Sequence, residues 1–359
     1  MRPQPFRRIR SRQVVLLATV GLALAAAACS SSSASPPPST GSTSNAPVTL
    51  RLGYLTNLTH APALVGVQDG YFKRSLPSNV TLQTSTYNAG PAAVTALLAG
   101  SLDAAYLGPN SAITAYSQGK GAIRIISGAT SGGAALVVDP SITSPSQLSG
   151  KTLATPQLGN TQDVALRTWL KKQGLTFPGP NGGSGEVTIL PQDNATTLTS
   201  FEAGSIAGAW VPEPWATRMV SEGHGKVLVN EKSLWPGGLF STTVLVVNKD
   251  FLASNPTVVS DLLKGQIATN SFLNKSPAQA QADANTALAA LTGKSLKAPE
   301  LGTAWSDMTF TNDPIASSIA TDLVHAKAAG FPATDITGIY DLVPLNQLLT
   351  SQAKAAAKS

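Results

Sequence analysis

Val48-Thr49-Leu50-Arg51-Leu52-Gly53-Tyr54-Leu55 runs into Thr56-Asn57-Leu58-Thr59-His60 and then into Ala61-Pro62-Ala63-Leu64-Val65-Gly66-Val67-Gln68-Asp69-Gly70. The first stretch reads as a strand with Leu50, Leu52 and Tyr54 on one face, because side chains alternate sides along extended backbone. Pro62 to Asp69 reads as a helix, with a proline near its start and Gly70 closing it. Strand, small polar loop and helix, in that order, make the repeating unit of an α/β protein with largely parallel strands.

The unit recurs downstream. Strand Val80 to Thr86 precedes helix Pro91 to Ala99, strand Ala104 to Leu107 precedes helix Pro109 to Gln118, and strand Ile123 to Gly128 follows. A second block begins near Asp139, with strand Lys151 to Thr155 and helix Thr161 to Gln173. Asn160 is the expected N-cap there. Strand Val187 to Leu190, helix Ala195 to Ala203, strand Gly208 to Val211, helix Pro214 to Glu222 and strand Val244 to Val247 complete it. Beyond Lys249 the chain reads as almost wholly helical. There are no coiled-coil heptads and no solenoid repeat.

Working outward to the N-terminus, Arg2, Arg7, Arg8, Arg10 and Arg12 precede an uncharged apolar run from Val14 to Ala28. That is the pattern of a secretory signal peptide. It ends in Ala26-Ala27-Ala28 and the single cysteine of the chain, Cys29. Small residues before a lone cysteine resemble a bacterial lipobox, although Ala26 stands where such motifs usually carry Leu. Cys29 is therefore the expected lipidation site, with ordinary signal-peptidase cleavage as the alternative. Residues 29–46, rich in Ser, Thr and Pro and without charge, read as a disordered tether. Five of the 25 basic residues leave with the signal, so 20 face 19 acids, and the remainder offers no electrostatic footprint for nucleic acid.

Four strand ends lead into small, polar or Gly/Pro loops that open helices: Thr56 to His60, Asn88-Ala89-Gly90-Pro91, Gly108-Pro109-Asn110-Ser111 and Gly159-Asn160-Thr161. Ligands of open α/β sheets collect at such ends. Helix starts also carry unpaired N–H groups and the positive end of the dipole. None of the four contains Lys or Arg, which suits an oxyanion held by neutral donors. In Val211-Pro212-Glu213-Pro214-Trp215 two prolines hold Glu213 at a strand end, where its carboxylate could receive an ammonium group beside a Trp215 wall.

Signals for enzymatic chemistry are missing. Gly150-Lys151-Thr152 lacks the phosphate-loop glycine, since Pro145 stands in its place, and Gly293-Lys294-Ser295 fails likewise at Leu288. There is no Gly-x-Ser-x-Gly elbow. The three histidines, His60, His224 and His325, have no metal-ligand spacing. No cofactor and no metal site is expected.

Taken together, His60-Ala61-Pro62-Ala63-Leu64-Val65-Gly66 leading to Gly70-Tyr71-Phe72, then Ala89-Gly90-Pro91, Ala99-Gly100-Ser101-Leu102-Asp103, Gly150-Lys151-Thr152, Gly159 to Asp163 and Glu213-Pro214-Trp215 resemble the periplasmic binding proteins of nitrate, sulfonate and taurine ABC importers. The resemblance runs from about Val48 to Asn255 and continues more loosely to the end. It implies an α/β type II periplasmic-binding-protein fold, two αβ lobes joined by two crossing hinge strands. Residues 47–138 plus 241–359 would form lobe 1 with its C-terminal helices and 139–240 lobe 2, with hinge crossings near Ala135 to Asp139 and Ser241 to Val247. Ligand contacts would come from Asn57, His60, Gly90, Pro91, Asn110, Ser131, Asn160, Thr161, Glu213 and Trp215. The implied protein is not an enzyme. It is a monomeric receptor, anchored by lipid at the outer face of the cytoplasmic membrane. It would bind a small-molecule solute, an aliphatic sulfonate or taurine before nitrate, and deliver it to an ABC permease and its ATPase. Two alternatives stay open: a receptor for a nitrogenous cation such as a pyrimidine precursor, anchored by Glu213, and an enzyme of the same fold.

Overall fold

A computed structural model describes residues 46–359. The expected signal segment, Cys29 and the expected tether up to residue 45 lie outside the described residues. Among the described residues eleven strands form two sheets. In chain order they are β1 (Val48–Leu55), β2 (Val80–Tyr87), β3 (Ala104–Leu107), β4 (Ile123–Gly132), β5 (Ala134–Val138), β6 (Thr152–Thr155), β7 (Thr188–Pro191), β8 (Gly208–Pro212), β9 (Lys226–Asn230), β10 (Ser241–Asn248) and β11 (Met308–Phe310). The first sheet has the order β11-β4-β10-β3-β1-β2 and the second β7-β6-β8-β5-β9.

The expected parallel pairings are present: β1 with β2 and β3, and β6 with β7 and β8. The rest of each sheet is antiparallel, against expectation. Strand β10 runs antiparallel to β3 and β4, and β5 antiparallel to β8 and β9. The reason is the chain path. It leaves the first sheet at the end of β4, crosses at Gly132–Gly133 into β5, and returns after β9 through β10. A strand that enters a sheet from its neighbour meets the existing strands head to tail. Both crossing glycines have positive φ, 81° and 79°, and a Cβ at Gly133 would press on Met308 and Thr59, so the passage accommodates no larger residue without strain.

Alternation sorts each strand's apolar residues to two faces. Leu50, Leu52, Tyr54, Tyr106, Leu245 and Val247 pack on one face of the first sheet under helix Pro256–Lys275, and Leu107, Val244 and Val246 on the other. In the second sheet Leu136, Val138 and Trp210 face Trp169, while Ala135, Val137 and Val211 face Phe201 and Met219. The tail, expected to be almost wholly helical, contains β11 as well, paired with β4. Its helices also reach the second layer: helix Ala298–Ser306 packs on helix Trp215–Ser221, and Lys171 Nζ donates to Ala328 O at 3.3 Å. Among the described residues no helix is long and apolar enough to cross a membrane.

Candidate ligand site between the two sheets

The parallel strands of both sheets point their carboxyl ends at one small cavity. It is lined by Leu55, Asn57, Thr59 and His60 after β1, Gly90 after β2, Gly108 and Ser111 after β3, Asn160, Thr161 and Gln162 after β6, Pro212 at the end of β8, and Thr242. About 20 Å3 of it is open to the centre of a water molecule, room for about one water.

Three of the helices that start here are Gly90–Leu98, Pro109–Gln118 and Thr161–Lys172, and a short turn at Leu58–His60 leads into the fourth, Ala61–Gln68. Only Asn160 caps with its side chain, accepting from Asp163 N at 2.8 Å. The other starts have no side-chain cap, so their first-turn N–H groups are left for something else. Glycine permits the convergence. A Cβ at Gly90 would lie 2.0 Å from Ser111 Oγ, and one at Gly108 2.4 Å from Thr161 Oγ1. The second contact joins the first-sheet layer to the second.

Thr242 Oγ1 is spent on Gly132 O and Asn160 Nδ2 on Gln162 Oε1, but other donors of the cavity are free. Ser111 Oγ and Thr161 Oγ1 are buried and have no hydrogen-bond partner. His60 Nδ1 accepts from Leu55 N at 3.3 Å, which leaves the ring proton on Nε2 as a donor. Burial holds His60 neutral by lowering its pKa to about 3. No lining residue carries a formal charge. Arg167, on the helix that begins at Thr161, is engaged with Asp163 at 2.9 Å, and Asp163 in turn holds Gly159 N and Thr155 Oγ1, fixing the loop that presents Thr161. Uncharged donors backed by helix dipoles can hold an oxyanion without an ion pair.

Asn57, His60, Gly90, Asn160 and Thr161 are therefore brought together as expected residues of one cavity. Trp215 stands just outside it, its Nε1–H donating to Asn57 Oδ1 at 3.0 Å. Asn57 and Trp215 also line a larger outer pocket of about 460 Å3, together with Asn88, Asp193, Arg218 and Lys294. Both cations of that pocket are tied to Glu222, at 2.8 and 2.6 Å.

Four expected contacts lie elsewhere. Asn110 turns toward helix Ala316–Ala328, donating to Asp322 O at 3.2 Å, and the next residue, Ser111, faces the cavity instead. Successive helical residues differ by about 100° in direction, so a one-residue error changes the face. Pro91 is half-buried outside the lining, its carbonyl accepting from Thr95 Oγ1. Ser131 Oγ accepts from Phe240 N at 3.3 Å and serves the β4–β10 junction. Glu213 follows Pro212 and faces the opposite way. Its Oε2 accepts from Thr217 N at 3.1 Å, in a different cavity with Asp307, and burial raises its pKa to about 7. Sequence reasoning missed Gly108, Ser111, Gln162 and Thr242. The Gly108-Pro109-Asn110-Ser111 loop was in view, but which side chain it presents depends on helix phase.

The taurine-binding periplasmic protein of Escherichia coli K12 is 28% identical over 221 residues, 61% of this chain. The match spans 65% of that protein, just under two thirds of its length. Among solved structures, the alkanesulfonate-binding protein SsuA of Xanthomonas axonopodis pv. citri, bound to MOPS, superposes with a TM-score of 0.64 at 18% identity, over 79% of this chain and 92% of that one. The periplasmic nitrate-binding protein NrtA of Synechocystis PCC 6803 superposes with a TM-score of 0.67 at 14% identity, over 85% and 89%. At such identities the likeness speaks for the fold, which is that of the periplasmic binding proteins. A family model matches residues 44–289, more than half of the sequence, and by that match the chain belongs to the NMT1-like family.

Proposed function

We propose that this protein is the exported solute-binding component of an ABC importer, and that it takes a small oxyanion-bearing solute, an aliphatic sulfonate before nitrate, between its two lobes. One observation carries the reading. Two buried hydroxyls without partners, Ser111 Oγ and Thr161 Oγ1, converge with uncapped helix starts on one cavity that contains no cation. A buried donor without an acceptor costs about 1–3 kcal/mol, and a ligand oxyanion removes that cost. Because Gly108 and Thr161 belong to different layers and touch across the cavity, a head bound there engages both, so binding favours the closed arrangement. The outer pocket, which shares Asn57, has space for a hydrocarbon tail, and this favours a sulfonate over nitrate.

Two finer points belong to the same reading. Cys29 anchors the protein by lipid at the outer face of the cytoplasmic membrane, and the receptor works as a monomer beside its permease and ATPase. The lobes divide at the Gly132–Gly133 crossing and near 240/241, a reading supported by the pairing of β5 with β8 and β9. Taurine is favoured by its relative rather than by Glu213, whose carboxylate lies in another cavity. The pyrimidine-precursor alternative loses its anchor for the same reason.

Thermal unfolding of the purified protein against ethanesulfonate, taurine, nitrate and a pyrimidine tests the proposal. A ligand at 100 times its dissociation constant adds about 2.7 kcal/mol of stability. Stabilisation by sulfonates that disappears in Ser111→Ala/Thr161→Val is the expected result; stabilisation by the pyrimidine alone would refute it.

A further inference from the structure

Behind Glu213 lies a separate cavity of about 250 Å3, walled by Ala216, Val220 and Val227 and by Glu213, Thr217 and Asp307. It sits where helix Trp215–Ser221 packs on helix Ala298–Ser306. Glu213 is 2% exposed and Thr217 7%. Thr217 N–H donates to Glu213 Oε2, but Thr217 Oγ1, beside the same carboxylate, makes no hydrogen bond. Asp307 Oδ1 accepts from Asn230 Nδ2 at 3.3 Å. Among the described residues no ion pair within 4 Å involves Glu213 or Asp307, while the third acid at the rim, Glu300, is matched by Lys297 at 3.8 Å. The cavity thus combines two carboxylates without cations, one idle hydroxyl and an apolar wall.

We propose that this cavity is a second ligand site, one that takes a small primary alkylammonium compound. Its cationic head lies between Glu213 and Asp307 and its hydrocarbon body against Val220 and Val227. An ammonium group carries three donors and no acceptor, which matches two carboxylates and a hydroxyl oxygen. Charge-assisted bonds of this kind are the strong ones, and a buried carboxylate without a cation is the partner that gains most from them. A quaternary ammonium has no N–H to give and binds less well.

Calorimetric titration with n-butylammonium, tetramethylammonium and butyrate tests the assignment on the whole protein. Expected is saturable one-to-one binding of n-butylammonium, weaker binding of tetramethylammonium and none of butyrate. Glu213→Gln weakens n-butylammonium by at least about tenfold. Thr303→Phe, at an exposed position of the rim, does the same without touching the buried acids, and so serves if the Gln variant does not fold. Ser111→Ala in the solute cavity leaves amine binding unchanged. No saturable binding, or binding as tight as the unmodified protein's in both Glu213→Gln and Thr303→Phe, overturns the proposal. Loss in Ser111→Ala would place the amine in the solute cavity and also overturn it, whereas sulfonate binding in either rim variant leaves the receptor reading intact.

Discussion

Pro212 and Glu213 are neighbours in the chain, yet they line two cavities of opposite character. In front of the β8 strand end is a space with free donors and no charge; behind it is a space with carboxylates and no matching cation. The turn after β8 explains the separation: Pro212 ends the strand, and Glu213, one residue beyond it, accepts from Thr217 N in the helix that follows. Polar chemistry of both signs can therefore be held within one turn of chain without neutralising itself. An acid in the front cavity would repel the oxyanion that the helix starts favour, and the bond from Thr217 N keeps Glu213 out of it.

The largest expected effect breaks the front cavity alone. Ser111→Ala/Thr161→Val removes two hydroxyl donors to a charged ligand, each worth about 1.5–3 kcal/mol, so sulfonate affinity should fall by roughly two to four orders of magnitude. The amine response of the rear cavity should persist. If both responses disappear together, the two sites are not independent.

Gly90→Ala tests whether close approach of the helix starts matters. Its Cβ would fall 2.0 Å from Ser111 Oγ and 2.8 Å from Ser111 Cβ, so helix Pro109–Gln118 must shift. Such overpacking costs about 1–3 kcal/mol, read here as lower sulfonate affinity with little change in amine binding.

Acid–base behaviour separates the two regions by sign. The folded pKa of His60, about 3, lies below its unfolded value, so the unfolded chain binds the extra proton and stability is lost as pH falls below about 6.5. Glu213 and Glu231 are raised by burial to about 7 in the fold, and Asp322 is raised as well. The contributions of Glu213 and Glu231 are fully present below about pH 4.5 and are lost as pH rises through 7, and that of Asp322 changes in the same direction. Between these limits the acids outnumber the histidine, so chemical denaturation should show stability declining toward neutral pH. Glu213→Gln should flatten that decline by up to about 1.4 kcal/mol per pH unit, and His60→Gln should steepen it.

Smallest is the effect of the mouth. Trp215→Phe keeps the ring and loses the Nε1–H bond to Asn57, a contact of about 1 kcal/mol, so ligand release should quicken by roughly fivefold in stopped-flow measurements.

Much of this was legible before any fold was known. The alternation in Leu50, Leu52 and Tyr54, the proline and glycine punctuation of the helices and the Asn160 cap depend on local geometry, and local geometry is written in neighbouring residues. The absence of Lys and Arg from the four loops likewise announced a site of neutral donors. Other features lie beyond local reading. Strand β11, three residues long, is established by its pairing with β4, and β9 by its pairing with β5. The choice of Ser111 over Asn110 depends on how a helix is rotated against the sheet. The placement of Glu213 behind the strand rather than in the cleft depends on how the turn after β8 seats helix Trp215–Ser221 against helix Ala298–Ser306. Sequence decided the elements and the chemistry of the loops, because those follow from backbone preferences over a few residues. Tertiary structure alone decided which side chains share a cavity, because that is a matter of packing between residues fifty to two hundred positions apart.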